Sequence, residues 1–444
     1  MTGVKGNRIY CLDWLRGLTA LMICLVHVPH RGPNWGDPTD GHFWLFLPLE
    51  FASFRTVLFV LLSGFGIHLL TLRQADLANR PWPGPMPRLN VSVQDFWARR
   101  FSRLYGPYVF ALVGTLTFLA VIAWRNHAVW QHYLSTGRDW AADVLCHVFM
   151  VHNLSPDYAL GLCNGPLWAL AMEVQLYVLY FVFLAMRRAW SRRTACTIVA
   201  LVSLVAWQAL QVLGPNRVVI GPVTIGRWEL WPFNFWWIWT LGALGAEAYL
   251  GLVRLPAWLG SWRWGLGLFC LGSLLQFPTW EYLSKGTLWG PWLASALPMP
   301  ATVQALAALL LQMLYFAVAP LGVAALLFAL VAAERRHAKE PGWVLRPLQK
   351  LGGFSYSLFL THAPLIWLGE ILLSRWVGHP IDLSPFWVGV RLLVYVPTCV
   401  TVAWIFHLMC ERPFLVRKSG ASRRSDVATR KIAPPPLAAP RAAA

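Results

Sequence analysis

The chain of 444 residues is 57% hydrophobic and only 13% charged, with a mean hydropathy of +0.51 and a formal net charge of +18. Soluble proteins carry roughly 25% charged residues, so this composition excludes an ordinary soluble domain and predicts an integral membrane protein. The excess of positive charge favours anionic lipid or an anionic ligand as a partner. Nucleic acid is not an expected partner, because the sequence contains no soluble basic domain to bind it.

Ten apolar stretches are long enough to cross a bilayer, so we predict an all-α membrane domain over residues 1–415. In chain order they cover residues 14–29, 50–72, 104–124, 167–186, 194–213, 233–252, 262–277, 303–332, 353–373 and 387–410. The segment 141–152 is too short and too polar to span, and we predict an interfacial or re-entrant element there. Residues 416–444 are basic and then rich in Pro and Ala, which predicts a disordered tail.

The distribution of Lys and Arg predicts the orientation of these spans. With the N-terminus in the cytoplasm, 28 of the 37 basic residues lie in cytoplasmic segments, 7 lie on the opposite side and 2 lie within the membrane. Cytoplasmic loops of membrane proteins carry such an excess. We therefore predict that both termini and the tail are cytoplasmic, with the bacterial plasma membrane as the expected location.

The first span carries ionisable residues that need a partner or a use, since each costs at least ~2.5–3.5 kcal/mol at mid-membrane. Arg16 and His27 are eleven residues apart, so on a helix they share one face and lie about 16 Å apart along the axis. A histidine there suits removal of a proton from a hydroxyl or covalent transfer of a group, although a buried structural histidine would look the same. Arg16 can form an ion pair with Asp13. Arg16 is either a positive charge that only sets the membrane orientation (a topology charge), or a ligand that binds phosphate or an oxyanion.

Later spans add further candidates. Arg100 and Arg103 are three residues apart at the start of the third span, so they project together and suit the phosphates of a ligand. Glu173 opens the fourth span and could orient His27, organise an acceptor, or form a structural ion pair with Arg55 or Arg391. His362 in the ninth span is a second candidate base, an acceptor contact or a structural residue. Ser63 in the second span and Tyr356 in the ninth complete the candidate substrate-binding residues.

Five sequence blocks together resemble the acyltransferase-3 family, membrane enzymes that O-acylate carbohydrates and related acceptors. The blocks are "LDWLRGLTALMICLVH", "LFVLLSGFGI", "FWARRFSRLYGPY", "LWALAMEVQLY" and "LGGFSYSLFLTHAPL", and "ERPF" closes the last span. The family's arginine-ten-histidine pattern falls on Arg16 and His27, and its RxxR pattern falls on Arg100 and Arg103. The resemblance implies ten spans, acyl-CoA as co-substrate with no tightly bound cofactor, and a carbohydrate or lipid-linked hydroxyl as acceptor. Acetyl is the default acyl group of the family.

Several alternatives stay open at this point. A multi-pass transporter of a polar solute could also use intramembrane His, Glu and Arg residues. The sequence "HNLSPD" from His152 to Asp157 fits an HxxxxD acyltransferase pattern, but our topology places it on the side opposite cytoplasmic acyl-CoA. Cys146 and Cys163 could pair on an oxidising side, and no Cys/His spacing predicts a metal site. The acceptor, the acyl length and the oligomeric state do not follow from the sequence.

Overall fold

The structure of the protein, a computed structural model, is almost entirely helical over the residues that it describes. These are residues 8–28, 54–74, 92–125, 139–155, 157–162, 164–213, 218–220, 223–225, 230–279, 300–337, 342–379, 381–382 and 384–415. Within these ranges the α-helices are α1 (Tyr10–His27), α2 (Phe54–Gln74), α3 (Val93–Arg125), α4 (Trp140–Val148), α5 (Trp168–Ala189), α6 (Arg192–Leu213), α7 (Pro232–Tyr249), α8 (Trp262–Thr279), α9 (Ala301–His337), α10 (Arg346–Gly353), α11 (Ser355–Val377) and α12 (Pro385–Phe406).

Each predicted apolar stretch overlaps one of these helices, and residues 29 and 50–53 of the first two stretches lie outside the described residues. Seven helices within the described residues are long and apolar enough to cross a membrane. Three predicted spans, which correspond to α6, α7 and α8, fall outside those seven, so a total of ten stays a prediction, as does the orientation of the termini. The predicted tail at 416–444 and Cys163 lie outside the described residues.

Two local features differ from the prediction. α3 begins at Val93, eleven residues before the predicted span, because the basic segment that carries Arg99, Arg100 and Arg103 continues the same helix. A short antiparallel hairpin also joins α6 to α7, with strands β1 (Val218–Ile220) and β2 (Val223–Ile225). Its three-residue strands are too short for apolar alternation to predict them.

Glycines bring the helices around the site into backbone contact. A Cβ added at Gly64 of α2 would lie 2.0 Å from the carbonyl oxygen of Trp239 in α7. On the other side of the site, a Cβ at Gly17 of α1 would lie 2.0 Å from the carbonyl oxygen of Leu348, and one at Gly352 of α10 would lie 1.9 Å from that of Asp13. Such close approach requires glycine. The two crossings fix the positions of α1 and α2, which carry much of the site.

The N-terminus of α1 is held by a carboxylate from another helix. The backbone amides of Tyr10 and Cys11 donate to Glu334 at the end of α9, over 2.5 and 2.7 Å. A negative charge at a helix N-terminus satisfies otherwise unpaired amides and opposes the positive end of the helix dipole. This contact fixes the end of α1 nearest to Arg8 and Asp13.

The segment between α3 and α5 packs against neighbouring spans. The hydroxyls of Tyr105 and Tyr108 in α3 donate to the carbonyl oxygens of Val148 and His147 at the end of α4, over 3.0 and 2.8 Å. Further on, the amide of Asn164 donates over 3.0 Å to the carbonyl oxygen of Leu360 in α11. That carbonyl lacks its normal helical donor because residue 364 is a proline. α4 therefore lies within the helical bundle, while its depth in the membrane stays a prediction.

Candidate functional site

A cavity of about 450 Å³ opens between α1, α2, α3, α5 and α11. Its polar lining comes from opposite ends of the chain and includes most of the residues selected from the sequence. These lining residues are Asp13, Arg16, Ser63, Arg100, Arg103, Glu173 and Tyr356. His27 and His362 are absent from the lining, as described below.

The cavity has a strongly cationic end. Five arginines line it, namely Arg8, Arg16, Arg73, Arg100 and Arg103, whereas the acidic lining residues are Asp13 and Glu173. Arg8 and Arg73 were not predicted as site residues, because in the sequence both count as cytoplasmic topology charges. A cluster of guanidinium groups with so few carboxylates suits an anionic ligand.

Two neighbouring residues position the side chain of Arg16, which projects from α1. The carboxylate of Asp13 accepts from Nη1 of Arg16 over 3.4 Å and from Nε of Arg8 over 2.7 Å. On the facing helix, a Cβ at Gly66 would lie 3.0 Å from Nη2 of Arg16, so this glycine leaves room for the guanidinium. One carboxylate thus orients two cations and leaves the cluster with net positive charge.

Arg100 and Arg103 differ in their surroundings. The guanidinium of Arg100 lies over the rings of Phe96 and Tyr177, at 5.8 and 5.9 Å from their centroids, which holds it half-buried beside α5. Arg103 is exposed at the rim. Arg99 lies outside the cavity lining.

Glu173 is the centre of a buried polar group in the middle of the cavity. Its carboxylate accepts from the hydroxyl of Ser63, which in turn accepts from Nε1 of Trp239 over 3.2 Å. The ion pair with Arg391 that the sequence suggested for Glu173 is not formed, because Arg391 pairs with Glu370 over 2.6 Å. Tyr356 lies on the opposite wall and donates from its hydroxyl to the carbonyl oxygen of Leu104 over 2.7 Å.

The cavity ends one helical turn before His27. Its lining includes Ile23 of α1 and the stacked rings of Phe59 and Phe359, whose centroids are 6.2 Å apart. Outside this lining, Nε2 of His362 lies 3.2 Å from Nδ1 of His27, and the two imidazole centroids are 5.1 Å apart. The two candidate histidines, 335 residues apart in the chain, are therefore direct neighbours.

His152 of the HxxxxD pattern lies in a different place. Its ring is fully buried and stacks on His147 of α4, with centroids 3.8 Å apart. Burial, together with the neighbouring His147, lowers the pKa of His152 well below its usual value of 6.5. Neither histidine lines the cavity. Within the described residues, no group of three or more His, Cys, Asp or Glu side chains is arranged to hold a metal ion.

Comparisons with known proteins agree on one activity. A family model described as an acyltransferase domain matches residues 9–408. The chain is 23% identical over 434 residues to "Acyltransferase MdmB" of Streptomyces mycarofaciens, covering 95% of both chains. It is 25% identical over 420 residues to "Putative peptidoglycan O-acetyltransferase YrhL" of Bacillus subtilis (strain 168), covering 90% of this chain and 54% of that protein. No solved structure matches it.

Proposed function

Because the chain belongs to the acyltransferase-3 family and is therefore a membrane acyltransferase, we propose that it moves an acyl group from acyl-CoA to a hydroxyl. The acyl group is acetyl and the acceptor is a carbohydrate, a glycolipid or another small molecule. The observation that carries this proposal is the cationic cavity that runs along α1 toward the pair of His27 and His362.

The donor binds with its phosphates at the cationic end. Arg16, Arg100 and Arg103 supply charge-assisted hydrogen bonds to phosphate oxygens, and Arg8 and Arg73 add positive charge to the same end. The pantetheine arm then follows α1 past the Ser63–Glu173 pair toward Ile23. Because His27 does not line the cavity, thioester delivery requires a rearrangement of the lining residues next to the histidine pair, which include Ile23 and Phe359.

Distance assigns separate roles to Arg16 and His27. They lie about 16 Å apart along α1, since each residue of a helix rises about 1.5 Å. Both side chains lean toward the helix N-terminus, so Arg16 points away from His27. Arg16 therefore binds phosphate and does not stabilise an oxyanion at the reacting carbonyl.

His27 performs the chemistry in one of two ways. As a general base, its imidazole takes the proton of the acceptor hydroxyl while the oxygen attacks the thioester carbon. The C–S bond then breaks, and the coenzyme A thiolate receives the proton from the imidazolium. As a carrier, the imidazole nitrogen attacks the thioester carbon, the C–S bond breaks, and the thiolate takes the proton that the acylated imidazolium releases. The acceptor hydroxyl then attacks the acyl carbon, the C–N bond breaks, and the hydroxyl proton goes to the imidazole. Both routes end with an ester and free coenzyme A.

The enzyme lies in the bacterial plasma membrane with its cationic end in the cytoplasm, where acyl-CoA is found. The excess of basic residues on that side supports this orientation. The peptidoglycan named for the Bacillus relative supports a carbohydrate acceptor. The transporter considered from the sequence has no supporting observation in the part of the chain that the structure describes.

Purified protein in lipid nanodiscs tests the proposal. With acetyl-CoA labelled in the acetyl group, we expect label to move to carbohydrate or glycolipid acceptors, with release of free coenzyme A. In the absence of acceptor, rapid-mixing measurement of free coenzyme A separates the two routes: a burst of about one coenzyme A per enzyme supports the carrier, and the absence of a burst supports the base. If the protein does not consume acetyl-CoA and instead transports a polar solute across the membrane, the proposal is contradicted.

A further inference from the structure

The proton positions of the His27–His362 pair follow from the atoms around them. Nδ1 of His362 lies 3.0 Å from the carbonyl oxygen of Leu358 and 2.9 Å from that of Phe359. Carbonyl oxygens only accept hydrogen bonds, so Nδ1 of His362 carries a hydrogen. A neutral imidazole carries one N–H, and its other nitrogen, Nε2, then has the lone pair.

His362 is neutral in this setting. Its side chain is completely buried, and a buried charge without a partner of opposite sign is expensive. Among the described residues, the cation of Arg55 acts on it and opposes a second positive charge. Nε2 of His362 is therefore a hydrogen-bond acceptor.

This acceptor faces Nδ1 of His27 at 3.2 Å, and the same Nδ1 lies 2.7 Å from the carbonyl oxygen of Ile23. Both neighbours accept, so Nδ1 of His27 carries the hydrogen and shares it between them. In neutral His27 the lone pair is then on Nε2. This assignment of protons satisfies the four contacts described above, whereas a hydrogen on Nε2 of His27 alone would leave two acceptors facing an unprotonated Nδ1.

We propose that His362 is a positioning residue that holds His27 in the tautomer with Nδ1 protonated, so that Nε2 is the nitrogen that acts as base or acyl carrier. The inference rests on the proposed function of His27. A hydrogen bond to Nδ1 fixes which ring nitrogen reacts, as the aspartate does in a Ser-His-Asp triad. Here the orienting group is a neutral imidazole, so it fixes the tautomer without supplying a negative charge to an imidazolium.

The packing of α11 keeps His362 in place for this role. Its own carbonyl oxygen accepts from the thiol of Cys399 in α12 over 3.8 Å, and its ring lies 6.1 Å from that of Phe359. The close contact of Gly17 with α10 sets the distance between α1 and α10. The tautomer is therefore set by the same contacts that assemble α1, α10 and α11.

Two substitutions separate positioning from structure. His362→Gln places an amide oxygen where Nε2 accepts, whereas His362→Met has a similar volume and no such acceptor. We expect His362→Met to lower kcat by tenfold to a hundredfold, with KM for acyl-CoA changed less than threefold. His362→Gln should restore at least a third of the wild-type kcat. Equal losses in both variants, in step with their thermal stability, would show a purely structural role and overturn the inference.

Nitrogen NMR of protein labelled with ¹⁵N-histidine reads the tautomer directly, with His27 assigned by comparison with His27→Ala. We expect an Nδ1–H signal for His27 in the wild type and in His362→Gln, and a mixture of tautomers in His362→Met. A wild-type His27 protonated on Nε2 would overturn the inference. If His27→Ala retains full activity, the proposed role of His27 fails. If His27→Ala is inactive while His362→Met has wild-type kcat, the present inference alone fails.

Discussion

The binding of acyl-CoA phosphates by Arg100 and Arg103 gives a quantitative prediction. A hydrogen bond to a charged group contributes about 1.5–3 kcal/mol, and about 1.4 kcal/mol corresponds to a factor of ten in Kd. Arg100 is half-buried and held over Phe96 and Tyr177, so its loss should approach that full range. Arg103 is exposed, and solvent and salt screen its contribution. We expect Arg100→Ala to weaken acyl-CoA binding at least tenfold and Arg103→Ala several-fold.

Calorimetric titration of the purified variants with acetyl-CoA, and with the corresponding phosphate-free pantetheine thioester, measures this difference. The double variant should lose affinity for acetyl-CoA and change little toward the phosphate-free compound. Arg99→Ala is the matched control, because it removes an adjacent charge outside the cavity lining. Unchanged affinity in the double variant, or equal losses for both ligands, would refute the reasoning and leave these arginines as topology charges.

Three further predictions concern topology, packing and pH. A single cysteine placed at Trp343, which is 82% exposed, should react with an impermeant maleimide only after permeabilisation of the cells. A single cysteine placed at Phe386, which is 68% exposed, should react in intact cells. The reverse pattern would invert the orientation. Gly352→Ala should lower the free energy of unfolding by about 3 kcal/mol through its clash with Asp13, whereas Gly353→Ala, with open space around it, should be neutral in the same denaturation assay. Burial lowers the pKa of His152 in the folded protein, whereas the unfolded chain binds a proton at this residue near pH 6.5. The free energy of unfolding should therefore fall by about 1.4 kcal/mol per pH unit below pH 6.5, and this pH dependence should be weaker in His152→Gln. An unaltered pH dependence in His152→Gln would exclude His152 as its source.

Apolar length was a reliable guide to the helices, because a span must satisfy its backbone internally and therefore forms a helix. Composition could not predict the start of α3, since the basic residues before Leu104 interrupt the apolar run but not the helix. The hairpin at Val218–Ile225 depends on three pairs of residues, which are too few to give a periodic signal.

The sequence predicted the residues of the site better than their contacts. Helical geometry predicted that Arg16 and His27 share one face and that Arg100 and Arg103 project together, and Glu173 was selected as an ionisable residue at the start of a span. The contact between His27 and His362 joins residues 335 positions apart, and helical periodicity carries no information on such pairs. The same limit applies to the bond of Glu173 to Ser63, which crosses between two spans.

The central claim is that His27 carries the chemistry while the arginine cluster binds the donor. The most direct test measures, on the same preparations in nanodiscs, single-turnover acetyl transfer from bound acetyl-CoA and the Kd for acetyl-CoA in His27→Ala. His379→Ala, which removes an exposed histidine outside the cavity lining, is the matched control. The account predicts a loss of transfer of about 10²–10⁴-fold in His27→Ala, an unchanged Kd, and wild-type behaviour of the control. Transfer by His27→Ala above about a tenth of the wild-type rate would contradict it.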